Sequence, residues 1–191
     1  MTTEDYILRS IEVKKQILNN KHILSTLNTA SEMLLQTLKE DGKILLAGNG
    51  GSAADSQHIA AEFVSRFQFD RPGLASLALT TDTSALTAIG NDYGFEKIFS
   101  RQLQAISTNK DVFIGITTSG KSPNIIKAFE YCKSANIKCI CLTGESKALP
   151  QDLVDLLIEV PSNITAHIQE SHIMIGHILC MHVENQLFKV D

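Results

Sequence analysis

Ile44-Leu45-Leu46-Ala47-Gly48-Asn49-Gly50-Gly51-Ser52-Ala53-Ala54-Asp55 decides the fold of this chain. The apolar run 44–47 is unbroken, as in a strand covered on both faces, and it stops at a loop holding three glycines. Glycine permits tight turns and lets a ligand come close to the backbone, and Ser52 stands where it can cap the helix that follows. Comparable apolar runs recur at 75–79, 112–116, 139–142 and 156–160, each separated from the next by helix-like sequence. Parallel strands need a crossover to return, so this alternation predicts an α/β three-layer sandwich, a five-stranded parallel sheet flanked by helices.

Ahead of that unit, Ile7, Leu8, Ile11, Val13, Ile17 and Leu18 fall at helical spacing, and 23–38 continues the pattern. Residues 1–40 are expected to form two helices, or one broken helix, packing on the core or on a partner subunit. The stretch 163–187 closes the chain as a helix, with Pro161 and Ser162 at its boundary. At 191 residues and 43% hydrophobic, with no repeat and no low-complexity linker, 1–191 reads as a single domain.

A net charge of -4, with no block of like charge, argues against a broad basic surface for nucleic acid. Cys132, Cys139, Cys141 and Cys180 form no C-x-x-C pair and read as reduced packing residues. No apolar run approaches the roughly 20 residues that cross a bilayer, and residues 1–10 lack the features of a secretory signal. The expected setting is the cytoplasm, with neither membrane nor nucleic acid as partner.

The glycine loop lacks both the Rossmann fingerprint and the lysine of a P-loop, which counts against dinucleotide or nucleoside triphosphate chemistry. A second loop, Thr117-Thr118-Ser119-Gly120-Lys121-Ser122-Pro123, offers four hydroxyls and a helix start at Pro123. Hydroxyls and free amides at a helix N-terminus suit a phosphate dianion, and Lys121 adds a mobile positive charge. An ordinary Ser/Thr cap accounts for the same residues. His58 and Glu62, four apart, share a helix face. Gln169 and His177, eight apart, stand about 80° apart around a helix axis. Taken singly, each pair also reads as a surface or core feature.

Together these motifs resemble the sugar isomerase (SIS) fold and, within it, the phosphoheptose isomerase family. The resemblance spans nearly the whole chain. It rests on Gly48-Asn49-Gly50-Gly51-Ser52 with His58-x-x-x-Glu62, on Gly90-Asn91-Asp92-x-Gly94-Phe95, on Thr117-Thr118-Ser119-Gly120-x-Ser122, and on Ile168-Gln169-Glu170-x-His172 with His177. Thr117 stands where serine is common in the family, and Lys121 where asparagine is frequent.

The resemblance implies conversion of D-sedoheptulose 7-phosphate to D-glycero-D-manno-heptose 7-phosphate through an enediol, the first step toward ADP-heptose or GDP-heptose for lipopolysaccharide or another surface glycan. It implies that Asn49, Gly50, Gly51, Ser52, Glu62, Asn91, Asp92, Thr117, Thr118, Ser119, Ser122 and Gln169 hold this phosphorylated seven-carbon sugar. His58, Glu62, Gln169 and His177 would surround one zinc ion per subunit, and Glu62 and His177 would carry the acid and base work. It further implies a homotetramer with sites near subunit interfaces. Two imidazoles and a carboxylate suit zinc, while an amide oxygen is an unusual ligand, so Gln169 belongs at the edge of the coordination or on the substrate. His22 reads as surface, and His167, His172 and His182 as structural. The competing expectation is a non-catalytic tetrameric SIS protein binding the replication initiator DnaA, a branch that lacks the full acidic and imidazole set. A phosphosugar-sensing regulatory module fits less well, since such modules are usually attached to a DNA-binding domain.

Overall fold

The run that opens at Ile44 forms β1 (Ile44–Gly48), and its residues feed two separate cores, Ile44 and Leu46 on one face, Leu45 and Ala47 on the other. Side chains that alternate across a pleated strand must divide this way when both faces are covered. The computed structural model describes residues 2–146 and 148–188. The further strands are β2 (Ser76–Ala78), β3 (Val112–Thr117), β4 (Lys138–Gly144) and β5 (Leu156–Val160). Every pairing is parallel, in the order β2-β1-β3-β4-β5, so the expected five-stranded parallel sheet is the one that forms.

The helices are α1 (Thr3–Asn19), α2 (Lys21–Lys39), α3 (Gly51–Val64), α4 (Thr83–Tyr93), α5 (Ile98–Ile106), α6 (Pro123–Ser134) and α7 (Thr165–Phe188). α1, α2, α3 and α7 bury Ile17, Leu34, Phe63 and Ile175 over the Ile44 face. α5 and α6 bury Phe99, Leu103, Ile125 and Phe129 over the opposite face, where α4 adds only the half-buried Leu86 and Ile89. Truncating a ring as fully enclosed as Phe63 or Phe129 would cost about 3–5 kcal/mol.

The opening segment is two helices. Asn20 ends α1 and caps α2, its side-chain oxygen accepting from the amides of His22 at 3.0 Å and Ile23 at 3.2 Å. Both pack on the core, and α1 is tied to α7 through Glu170, which accepts hydrogen bonds from Tyr6 Oη at 2.9 Å, from Lys14 Nζ at 3.2 Å and from the Ser10 hydroxyl. All four cysteines are buried and free, and burial pushes the Cys141 and Cys180 thiols far up, as suits inert packing residues. Among the described residues, no helix is long and apolar enough to cross a membrane.

Candidate active site

β1 and β3 are neighbours at the centre of the sheet, yet from β1 the chain goes on to β2 and from β3 to β4, on opposite sides. Loops that diverge in this way open a crevice beyond the carboxyl ends of the strands, where ligands of such sheets bind. The glycine loop and the Thr117–Ser122 loop both stand there. In the first, Gly50 takes φ 56° as the N-cap of α3, a left-handed conformation that glycine adopts without strain. Ser52, expected as the cap, instead lies inside the first turn of α3, buried, with its carbonyl accepting from the Ser56 hydroxyl at 2.8 Å. Helix α3 starts earlier than the hydroxyl suggested because the glycine already makes the turn, and no side chain closes its first amides.

The second loop leads into α6 with Pro123 in its first turn, as its sequence predicts. Its cap residue, Ser122, does not close on the helix amides. The Ser122 hydroxyl pairs with Thr117 Oγ1 at 3.0 Å, so these hydroxyls face each other across the loop and the helix terminus keeps donors for an anion. Thr118 is half-buried, Ser119 and Lys121 are exposed, and the Lys121 amide donates to Ser119 Oγ at 3.2 Å. Asn124, which no sequence signal marked out, is buried and joins the two loops by hydrogen bonds with Asn49.

A second group forms where α3 meets α7. Gly176 makes this approach possible: a Cβ there would sit 2.5 Å from Ile59 Cδ1. His58 Nε2 lies 3.0 Å from His177 Nε2 and 3.4 Å from Glu62 Oε1, and one ligand atom from each of the three falls within 4.8 Å of the others. Three lone-pair donors this close repel unless a proton or a cation lies among them. Two imidazoles and a carboxylate, partly exposed, match the donor set of a catalytic zinc, so the residues fit the metal. The Phe67 ring stacks on His177 with centroids 5.4 Å apart.

Gln169 is placed differently. Its amide covers Gly51, where an added Cβ would meet Nε2 at 2.5 Å. Gly51 precedes His58 by seven residues on α3, about 10 Å along the axis, so Gln169 borders the glycine loop. Asn91 and Asp92 are exposed at the end of α4, where Asn91 Nδ2 donates to Asp92 Oδ1 at 2.8 Å. Asp55, one turn ahead of His58, has a buried carboxylate oxygen without a partner among the described residues, and burial raises its pKa against the pull of His58. His167 and His172 are buried, His182 meets Ser31 Oγ at 3.2 Å and His22 is exposed, in line with the structural and surface readings.

Residues 5–144 match the SIS domain family. The chain is 58% identical over 179 residues to phosphoheptose isomerase 2 of Campylobacter jejuni, covering 94% of this chain and 89% of that protein. It is 56% identical over 186 residues to the phosphoheptose isomerase of Aneurinibacillus thermoaerophilus, covering 97% and 94%. A solved phosphoheptose isomerase from Neisseria gonorrhoeae is similar with a TM-score of 0.85 at 42% identity, over 95% of this chain and 96% of that one. A domain match across most of the sequence, and identity above one half along nearly all of it, make this chain a member of the SIS domain family and, within it, of the phosphoheptose isomerases.

Proposed function

We propose that this isomerase acts on D-sedoheptulose 7-phosphate, giving D-glycero-D-manno-heptose 7-phosphate by proton transfer through an enediol. The observation that carries the reading is the meeting of His58, Glu62 and His177 within 4.8 Å where α3, the helix that follows the glycine loop, packs against α7. Asn49 and Gly50 on the loop after β1, Gly51 and Ser52 in the first turn of α3, and Thr117, Thr118, Ser119 and Ser122 at the second loop, hold the sugar phosphate, with the free α6 terminus as the natural seat for the dianion. Asn91 and Asp92 approach the sugar from α4. Gln169, over Gly51, contacts the substrate.

Moving a hydrogen between adjacent carbons requires a base at carbon and a proton carrier between oxygens. Glu62, the less exposed partner of His58, is the base, and His177 moves the proton between oxygens. His58, Glu62 and His177 would hold one zinc per subunit, which when bound polarises the carbonyl and its neighbouring hydroxyl as a Lewis acid. The assembly is a homotetramer in the cytoplasm with its sites near subunit interfaces, feeding ADP-heptose or GDP-heptose synthesis.

The test is conversion of sedoheptulose 7-phosphate followed by NMR, before and after treatment with a chelator and after return of zinc. Conversion that is lost with the chelator and restored with zinc is expected. A metal-replete protein that leaves the ketose untouched would end the substrate assignment.

A further inference from the structure

Phe67 belongs to none of the ligand-loop motifs, yet its ring lies over His177 with centroids 5.4 Å apart and planes inclined by 28°. The segment that carries it, between α3 and β2, has no regular secondary structure of its own. It is fixed instead by a buried ion pair. The Arg71 and Glu184 side chains are 2% and 1% exposed, with Arg71 Nε 3.0 Å from Glu184 Oε1. Glu184 also accepts from the amides of Phe67 at 2.9 Å and Gln68 at 2.7 Å. Arg71 donates through Nη1 to the carbonyls of Phe63 at 2.6 Å, Ser65 at 3.2 Å and Pro72 at 3.0 Å, and through Nη2 to the carbonyl of Glu62 at 2.8 Å. A buried pair is tolerated only when its remaining donors and acceptors are met, and here they are met by the backbone of this segment.

Glu184 lies seven residues past His177 on α7, about two turns along the same stripe. One helix therefore carries both the imidazole and the anchor that sets a flat ring on it, while Arg71 grips the carbonyl of Glu62 in the same group. Rotation of an imidazole about its outer torsion is soft and broad. Histidines at metal sites are usually steadied by a carboxylate or carbonyl on the second ring nitrogen. Among the described residues, the hydrogen bonding of the His177 ring is confined to Nε2, and the Phe67 face takes that steadying role.

We propose that Phe67, held by the Arg71–Glu184 pair, is a positioning residue that fixes the plane of His177 so that its Nε2 faces His58 and Glu62. The inference rests on the reading of His177 as part of the active site. A residue that merely covered apolar surface could be replaced by any side chain of like volume, whereas a residue that sets a ring plane must itself be flat.

Phe67→Leu and Phe67→Met test the loss of the flat face, and Phe67→Tyr its retention. The readouts are zinc affinity of the metal-free proteins against a chromophoric chelator, kcat and KM for sedoheptulose 7-phosphate, and thermal midpoint. The Leu and Met variants are expected to lose roughly tenfold or more in zinc affinity and in kcat, with KM within about twofold, while Tyr stays close to wild type. Leu and Met variants equal to wild type in both, or a Tyr variant as impaired as Leu, would overturn the proposal. Wild-type protein that neither takes up zinc nor turns over removes the site reading and this inference with it. Wild-type activity matched by the Leu variant removes the inference alone.

Discussion

Asn49 and Asn124 exchange two hydrogen bonds, Nδ2 of each donating to Oδ1 of the other at 2.9 and 2.8 Å. One residue belongs to the glycine loop after β1 and the other to the first turn of α6, so the pair spans the crevice between β1 and β3 and sets its width. Asn124 is 1% exposed, and its truncation leaves the Asn49 amide without its partner. Asn49 is half-buried, so the loss is the net worth of an ordinary hydrogen bond, about 0.5–1.5 kcal/mol. Asn124→Ala should lower unfolding free energy by that amount in urea titration and raise KM for the sugar phosphate several-fold. An unchanged KM would mean that the loops keep their spacing without the tie.

Gly51→Ala separates the site from the fold. The new methyl would meet the Gln169 amide, the far end of a flexible side chain, at 2.5 Å. Gln169 swings aside at small cost, so the thermal midpoint should move by no more than a few degrees while kcat/KM falls about tenfold or more. The control is Gly115→Ala, whose methyl would strike the Phe129 ring at 2.4 Å inside the core and should cost about 1–3 kcal/mol of stability. Full activity in Gly51→Ala would take Gln169 out of the site.

Stability should fall in two steps as the solution is acidified. Burial depresses the His172 pKa to about 4 from 6.5. The unfolded chain therefore takes up a proton between pH 6.5 and 4 that the folded chain refuses, and stability declines through that window. Glu170 acts lower: the Ser10 hydrogen bond chiefly, against burial and with help from Tyr6 and Lys14, holds its carboxyl at about 2 rather than 4.5. Its contribution is present above pH 4.5 and is lost as pH falls toward 2, loosening α1 from α7. In denaturant titrations across pH, His172→Leu should flatten the upper step and Glu170→Gln the lower. Both His172 nitrogens lack partners among the described residues, so His172→Leu should cost little at neutral pH.

The sheet was readable because its strands are apolar on both faces. Runs such as 44–47 and 112–116 carry that signal alone, and the strand bounds fall within a residue or two of the expected ones. Helix starts were harder. Ser52 and Ser122 look alike in sequence, yet a positive-φ glycine displaces the first from the cap and Thr117 diverts the second. Local pattern cannot report partners far along the chain: Asn49 finds Asn124 across 75 residues, Arg71 finds Glu184 across 113, and His58 finds His177 across 119. Motif register supplied the last of these. Helical geometry alone left Gln169 and His177 loosely paired, and the fold sends the Gln169 amide to Gly51.

The most direct measurement is turnover of sedoheptulose 7-phosphate by Glu62→Gln, a change that keeps the shape and removes the proton-accepting oxygen. The account predicts a folded protein whose metal-free form keeps the wild-type thermal midpoint, and a kcat lower by about a hundredfold or more. A variant that interconverts the two heptose phosphates at close to the wild-type rate would contradict it, because no carboxylate of the His58, Glu62 and His177 group would then be taking the proton.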